Sequence, residues 1–415
     1  MRETPTLEFK ERISNTFLKT VSAYANYGTG KILFGIADTG KAIGIEDTIA
    51  ACLTIENKIN DSLSPVPRYR LEVNPRSKVI TLIVDEGLHK PYLYSGKAFR
   101  RSDTSTVEVD HLELTRLILE GQNLSFENTA ARTQNLSFEY LEKCLQSEMG
   151  ITALTDDTKK TLEILHDDTY NVAAELLADT NSFPGIDIAR FGETISIFLD
   201  RQTYEHISVL EQYNQAINYF KHHYQYEEVQ GSRREAKSLI PEDAFREAIA
   251  NALVHRQWDV DAHIRISMHA DRIEVSSPGG LPRGITEQEY LDGQISQFRN
   301  PILGGVFFRL HLIERFGTGV LRIKDAYSAF AQQPSFTVSD NAISVTLPVV
   351  REDLPLDADE RAVYHILEGR LLPISEVSKL CGFGKTKSQQ VLSRLVQKGY
   401  VHVVGNGRGT KYTTA

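Results

Sequence analysis

Glu3-Thr4-Pro5-Thr6-Leu7-Glu8-Phe9-Lys10 opens the chain, and Asp38 follows a short apolar run downstream of it. Three carboxylates that converge on one site repel one another unless a cation sits between them. Glu3, Glu8 and Asp38 therefore read as candidate ligands of a divalent ion. Such an ion beside basic residues points to phosphodiester chemistry. On spacing alone a second reading stands beside the first: Glu3 on a frayed terminus, and Asp38 as the aspartate of a hairpin turn.

Working outward, Thr16 to Tyr27 has the helical spacing of Phe17, Val21 and Tyr24, and Asn26-Tyr27-Gly28-Thr29-Gly30 breaks it. Lys31 to Ala37 reads as a buried strand, Asp38-Thr39-Gly40-Lys41 as a turn, and Ala42 to Ile45 as the return. Arg68–Val73 and Lys78–Val84 pair around Asn74-Pro75-Arg76-Ser77. The run from Lys90 through Lys97, Arg100 and Arg101 is basic and aromatic. A helix from about Asp110 to Leu119 closes an α+β unit.

The length of 415 residues predicts several domains, and no apolar run approaches a membrane span. Cys52, Cys144 and Cys381 have neither metal-ligand spacing nor an even count for bridges, which fits a reducing, cytoplasmic setting. A net charge of -9 argues against blanket attraction to nucleic acid. The charge is unevenly placed, however. After Glu376 there is no acid, while Lys379, Lys385, Lys387, Arg394, Lys398, Arg408 and Lys411 follow. That basic block predicts a localised contact.

The order Glu3, Glu8-Phe9-Lys10, Ser22-Ala-Tyr-Ala-Asn26 and Gly35-Ile-Ala-Asp38 resembles the Schlafen core domain, also described as the AlbA-type DNA-binding domain of bacteria. The resemblance covers residues 1 to about 122. It implies that Glu3, Glu8 and Asp38 hold Mg2+ or Mn2+ at a catalytic site and that Lys10 meets the scissile phosphate. It implies metal-dependent cleavage of structured, tRNA-like RNA or of DNA. Arg100 and Arg101 are expected to hold the nucleic-acid backbone; a solvated loop pairing with Asp103 is the alternative for them. Thr29 and Ala37 depart from the family pattern, which has Gly and Asp there.

Phe245-Arg-Glu247-Ala-Ile-Ala-Asn251-Ala-Leu-Val-His255-Arg256 is the second informative stretch. Glu247, Asn251 and His255 recur every four residues and so share one helix face. Ser277-Pro278-Gly279-Gly280-Leu-Pro282, Arg299-Asn300-Pro301 and Gly317-Thr318-Gly319 follow. Glycines let backbone N–H groups approach and cradle phosphate. This set resembles the divergent GHKL-type ATP-binding domain over about 160 to 350. The resemblance makes Glu247 the water-activating acid, Asn251 the Mg2+ ligand, and Gly279, Gly280, Gly317, Thr318 and Gly319, with His255, the site for ATP or another nucleotide. Ser277 stands where ordinary members carry an adenine-binding aspartate, and Gln257 replaces an acid after His-Arg; a serine can accept a hydrogen bond but lacks the charge, so a weak or altered nucleotide preference is expected, and hydrolysis is not. A degenerate fold kept for dimer contact is the alternative.

At the C-terminus Leu372–Leu380 reads as a helix, Cys381–Gly384 as a turn, Lys385–Lys398 as the next helix, and Tyr400–Thr413 as a hairpin with a glycine tip. This looks like a winged helix-turn-helix, with Lys385, Lys387 and Arg394 on or near the reading face and Arg408 at the wing tip. Contact with protein is the alternative to nucleic acid. The whole is expected to be an α+β multidomain chain: a Schlafen-type α/β domain at 1–122, a connector at 123–159, a GHKL-like α/β sandwich at 160–350 and a winged helix at 355–415. The expected function is nucleotide-regulated nucleic-acid cleavage by a cytoplasmic homodimer with no membrane partner. An ATP-responsive DNA-binding regulator without nuclease activity is the alternative.

Overall fold

A computed structural model describes residues 2–230, 233–282, 284–293, 297–314, 317–350, 356–367, 369–405 and 410–414. The chain divides into two compact units, Met1–Phe126 and Glu127–Ala415.

In the first unit β1 (Leu7–Lys10), α1 (Phe17–Tyr27), β2 (Gly30–Phe34), α2 (Thr48–Ser62), β3 (Tyr69–Val73), β4 (Ile80–Val84), β5 (Phe99–Ser102), β6 (Ser105–Glu108) and α3 (His111–Gly121) follow in order. The main sheet runs β1-β2-β4-β3. The β1–β2 pair is parallel, with Glu8 opposite Ile32 and Lys10 opposite Phe34. Ile32 and Phe34 alternate inward onto Phe17, Val21 and Tyr24 of α1 and Ile55 and Ile59 of α2. Leu33 takes the opposite face with Phe9, Ile36 and Val79. The strand expected to reach Ala37 ends at Phe34, because Ala37 N–H turns to Lys41 O and closes a loop.

The second unit is built on a six-stranded sheet. Its elements include β7 (Ile186–Phe191), β8 (Phe198–Tyr204), α4 (Val209–Tyr224), α5 (Glu242–Val254), β9 (Ile264–Met268), β10 (Arg272–Pro278), α6 (Pro301–Arg309), α7 (Gly319–Ala326), β11 (Ser335–Val338) and β12 (Ala342–Pro348). The strand order is β8-β7-β9-β10-β12-β11, parallel only between β7 and β9. β8 begins at Phe198, after a tight turn in which Ile197 N–H bonds Thr194 O. Along β10, Ile273, Val275 and Ser277 share the buried face.

Beyond it come α8 (Ala358–Leu367), β13 (Leu372–Pro373), α9 (Ile374–Cys381), α10 (Lys385–Gln397), β14 (Val401–Val404) and β15 (Lys411–Thr414). The three strands pair in the order β13-β15-β14. Val363, Leu367, Val377, Val391, Leu392, Leu395 and Val401 form their core. Among the described residues no helix is long and apolar enough to cross a membrane.

Candidate functional sites

Alternation along β1 sends Leu7 and Phe9 to one face and Glu8 and Lys10 to the other, toward α1. Glu8 Oε2 accepts hydrogen bonds from Thr20 Oγ1 of α1 and from the Arg101 guanidinium of β5, each at 2.6 Å. Glu8 Oε1 lies 2.5 Å from Lys10 Nζ. Thr106 on β6 stands 2.9 Å from both Thr20 Oγ1 and the Arg101 guanidinium. Arg101 and Glu8 leave only 7% and 5% of their side chains exposed. Tyr24 closes the ring of groups: burial raises the pKa of its phenol, and Glu8 and Glu3 add to that while Arg101 opposes it.

The expected metal triad is not assembled. Glu3 Oε1 accepts the Phe9 backbone N–H at 2.8 Å. Asp38 is exposed in the Ala37–Lys41 turn, which Gly40 N–H closes onto Ala37 O at 2.7 Å. Among the described residues no group of three or more His, Cys, Asp or Glu side chains could hold a metal ion. The physical reason is local: the charge of Glu8 is already met by two cations from the chain itself. The Arg101 guanidinium, expected on the nucleic-acid backbone, is buried and bonded to Glu8. Arg100 stays half exposed, with Glu113 at 3.4 Å.

Ser22 and Asn26, four apart on α1, grip one stretch of backbone. Ser22 Oγ donates to Tyr92 O at 2.7 Å, Asn26 Nδ2 donates to the same oxygen at 2.9 Å, and Tyr92 N–H donates to Asn26 Oδ1 at 2.8 Å. These motif residues therefore build the domain.

In the second unit Glu247, Asn251 and His255 do come together, along one wall of a cleft that Ser277, Gly279, Tyr290, Phe298, Gly317 and Gly319 also line. Asn251 Nδ2 donates to Glu247 Oε1 at 3.0 Å, which leaves the amide oxygen for a ligand. Burial raises the Glu247 pKa, opposed by Asn251 and by Arg322, whose guanidinium lies 3.9 Å away. Burial and the Arg299 charge bring His255 down to about 4, so its imidazole is neutral. Ser277 Oγ donates to Ala252 O at 2.7 Å and can offer the cleft only its lone pairs. Burial pushes the Tyr290 hydroxyl up to about 12.

Gly319 sits where a Cβ would lie 2.6 Å from Glu247 Oε1 and 2.7 Å from Asn251 Nδ2. Gly280 does not line the cleft; its missing side chain makes room for the carbonyls of Ser339 and Asp340. Thr318 is the residue before α7, where its carbonyl accepts the Arg322 N–H.

Sequence reasoning named Arg256, Arg299 and Asn300 within the motifs without giving them a role, and it missed Glu127. Arg299 donates to His255 O at 3.1 Å and to Gly280 O at 2.6 Å, bracing both walls. Asn300 donates to Val254 O and Arg256 O at the end of α5. The Glu127 carboxylate accepts the N–H groups of Ile302 and Leu303 at the start of α6. Arg256 is buried against the Trp258 ring at 4.1 Å and donates to Ala262 O. The Arg299-Asn300-Pro301 motif is the signal that pointed to Asn300.

Residues 3–110 match the family model described as "Schlafen, AlbA_2". Residues 3–110 are a Schlafen/AlbA_2-type domain. Residues 261–347 match the model described as "Putative ATP-dependent DNA helicase recG C-terminal". That second match takes in Ser277, Gly279, Gly317 and Gly319 but begins after α5. The crystal structure of the DIP2311 protein from Corynebacterium diphtheriae is similar over 99% of this chain and 92% of its own, at TM-score 0.50 and 21% identity. At that identity the likeness concerns the fold. No curated protein matches the chain.

Beyond the Schlafen/AlbA_2 domain, the expected nucleic-acid residues of the C-terminal module have acidic neighbours. Lys387 lies 2.8 Å from Asp359 and 4.1 Å from the Phe383 ring. Arg394 meets Asp357 and the buried Glu360, each at 3.2 Å. Lys385 is exposed at the start of α10. Arg408 lies outside the described residues.

Proposed function

We propose that this chain is a nucleic-acid-binding protein whose second unit binds ATP or a related nucleotide, and that the nucleotide changes its grip on nucleic acid. The observation that carries the reading is the convergence of Glu247, Asn251, His255, Ser277, Gly279, Gly317 and Gly319 on one cleft. The two family matches support it: a Schlafen/AlbA_2 domain precedes a domain like the C-terminal part of a DNA helicase. The cleft's donors fit a Mg2+ ion carried in with the phosphates, through the Asn251 amide oxygen and the Glu247 carboxylate. That ion, when bound, would neutralise phosphate charge. Ser277 and Tyr290 would orient the base, and the close approach at Gly319 would present backbone N–H groups to phosphate.

The helix-strand-helix-helix-hairpin order of the C-terminal module supports a winged-helix reading, in which α10 would be the reading helix. The homodimer implied by the GHKL-like resemblance belongs to the same proposal. Metal-dependent cleavage by the first unit is the reading the geometry favours less, because Glu3, Glu8 and Asp38 do not form a ligand set.

Fluorescence anisotropy with labelled tRNA and labelled duplex DNA, with and without Mg-ATP, tests the reading. Coupling of about 1–3 kcal/mol gives a change of roughly 5- to 150-fold in affinity, lost in Asn251→Ala. Equal affinity with and without nucleotide would overturn the regulation. Cleavage of either substrate that needs Mn2+ and disappears in Glu8→Gln would restore the nuclease.

A further inference from the structure

The carboxylate of Glu8 has three donors and little room for a fourth. Lys10 occupies Oε1, and Thr20 and Arg101 occupy Oε2. An ionised carboxylate offers about four lone-pair sites; three are taken, and a metal at the fourth would sit beside two cations that repel it unless one of them leaves. Arg101 is costly to displace. Its guanidinium also bonds Thr106, its Nε is buried without a hydrogen-bond partner, and leaving it unpaired would strand a buried charge. Glu3, the nearer of the other two acids in sequence, is committed to the Phe9 N–H.

We infer that Arg101 and Lys10 are built-in counter-cations of Glu8, so that this unit keeps its shape and binds its ligand without a metal ion, and that removing the guanidinium turns the same spot into a divalent-metal site. The arrangement joins β1, α1, β5 and β6 through one carboxylate. It therefore ties the N-terminal strand to the β5–β6 hairpin, 93 residues away in sequence. Any role of this spot in meeting nucleic acid then falls to the part-exposed Lys10 and to Arg100, and Glu8 acts as the group that holds Lys10 back. The inference does not depend on the nucleotide cleft.

The test is Mn2+ titration by calorimetry on the full chain, nucleotide-free, for wild type, Glu8→Gln, Arg101→Met and the double variant Arg101→Met/Glu8→Gln. Wild type and Glu8→Gln are expected to give the same isotherm. Arg101→Met is expected to gain one Mn2+ site, which the double variant loses. Wild-type Mn2+ binding that Glu8→Gln abolishes would overturn the inference, as would a folded Arg101→Met chain that gains no site. If Arg101→Met fails to fold by circular dichroism, thermal melting of wild type against Glu8→Gln with and without Mn2+ decides alone. Equal shifts in the two support the inference, and a shift found only in wild type refutes it.

Discussion

Gly319→Ala separates the architecture of the cleft from its chemistry. The added Cβ would lie 2.6 Å from Glu247 Oε1 and 2.7 Å from Asn251 Nδ2. Ordinary contacts lie at about 3.5–4.0 Å, so something must move by close to an ångström. Both opposing atoms are the far ends of rotatable side chains, and both can swing away without moving backbone. Stability should therefore change little: alanine for glycine in a helix gains about 0.5–1 kcal/mol, which offsets a mild repacking cost. Function should suffer, because the swing breaks the 3.0 Å Asn251–Glu247 bond and carries the amide oxygen off its line. Misplacing those polar groups costs about 1–3 kcal/mol of binding, or roughly 5- to 150-fold in Kd. Titration with a fluorescent ATP analogue reads the affinity, and a thermal melt reads the fold. An unchanged Kd in a folded Gly319→Ala protein would refute the assignment of Glu247 and Asn251 to the ligand.

Other outcomes follow from the same geometry. Asn300→Ala removes the donor to two buried carbonyls at the end of α5, and should cost about 1–3 kcal/mol in urea unfolding. Asn26→Ala strands the Tyr92 N–H and should destabilise the first unit by a similar amount, about 1–3 kcal/mol, while leaving nucleotide affinity unchanged. Because burial brings the folded pKa of His255 to about 4, below the ordinary 6.5, the unfolded state binds its proton first as pH falls. Stability present above pH 6.5 is thus lost down to about pH 4, and His255→Gln should flatten that slope in pH-dependent melts. The raised pKa of Glu247 acts with the opposite sign, since its unfolded carboxyl gives up a proton first as pH rises through 4.5. In the C-terminal module Lys385→Gln should lower the slope of log affinity against log salt by about 0.9 if Lys385 meets one phosphate of duplex DNA. Arg394→Gln should lower it less, because Arg394 is shared with Asp357 and Glu360.

Periodicity carried most of the secondary structure. The spacing of Phe17, Val21 and Tyr24 placed α1 within a residue of its observed ends, because those side chains pack into the core. It overran β2, where Ala37 reads as strand but belongs to a loop that its N–H closes onto Lys41 O. The cleft was legible because Glu247 and Asn251 share a helix face and the glycine loops follow at fixed places in the chain. Tyr290 carried no signal, since a tyrosine in a short helix looks the same whether it faces solvent or a cleft. Arg299, Asn300 and Glu127 were unreadable as braces, because what each accepts or donates to is backbone, which has no sequence signature.

By itself the sequence determined local structure and which chemical groups are present: a helix bearing Glu247 and Asn251, a basic final helix, and acids near the start. Which groups those acids meet was decided only by tertiary structure. Glu8 is met by what lies within a few ångströms of it, and the Arg101 that pairs with it arrives from a distant hairpin. Coulombic compensation depends on distance through space and on burial, and neither is written in the spacing of residues along a chain.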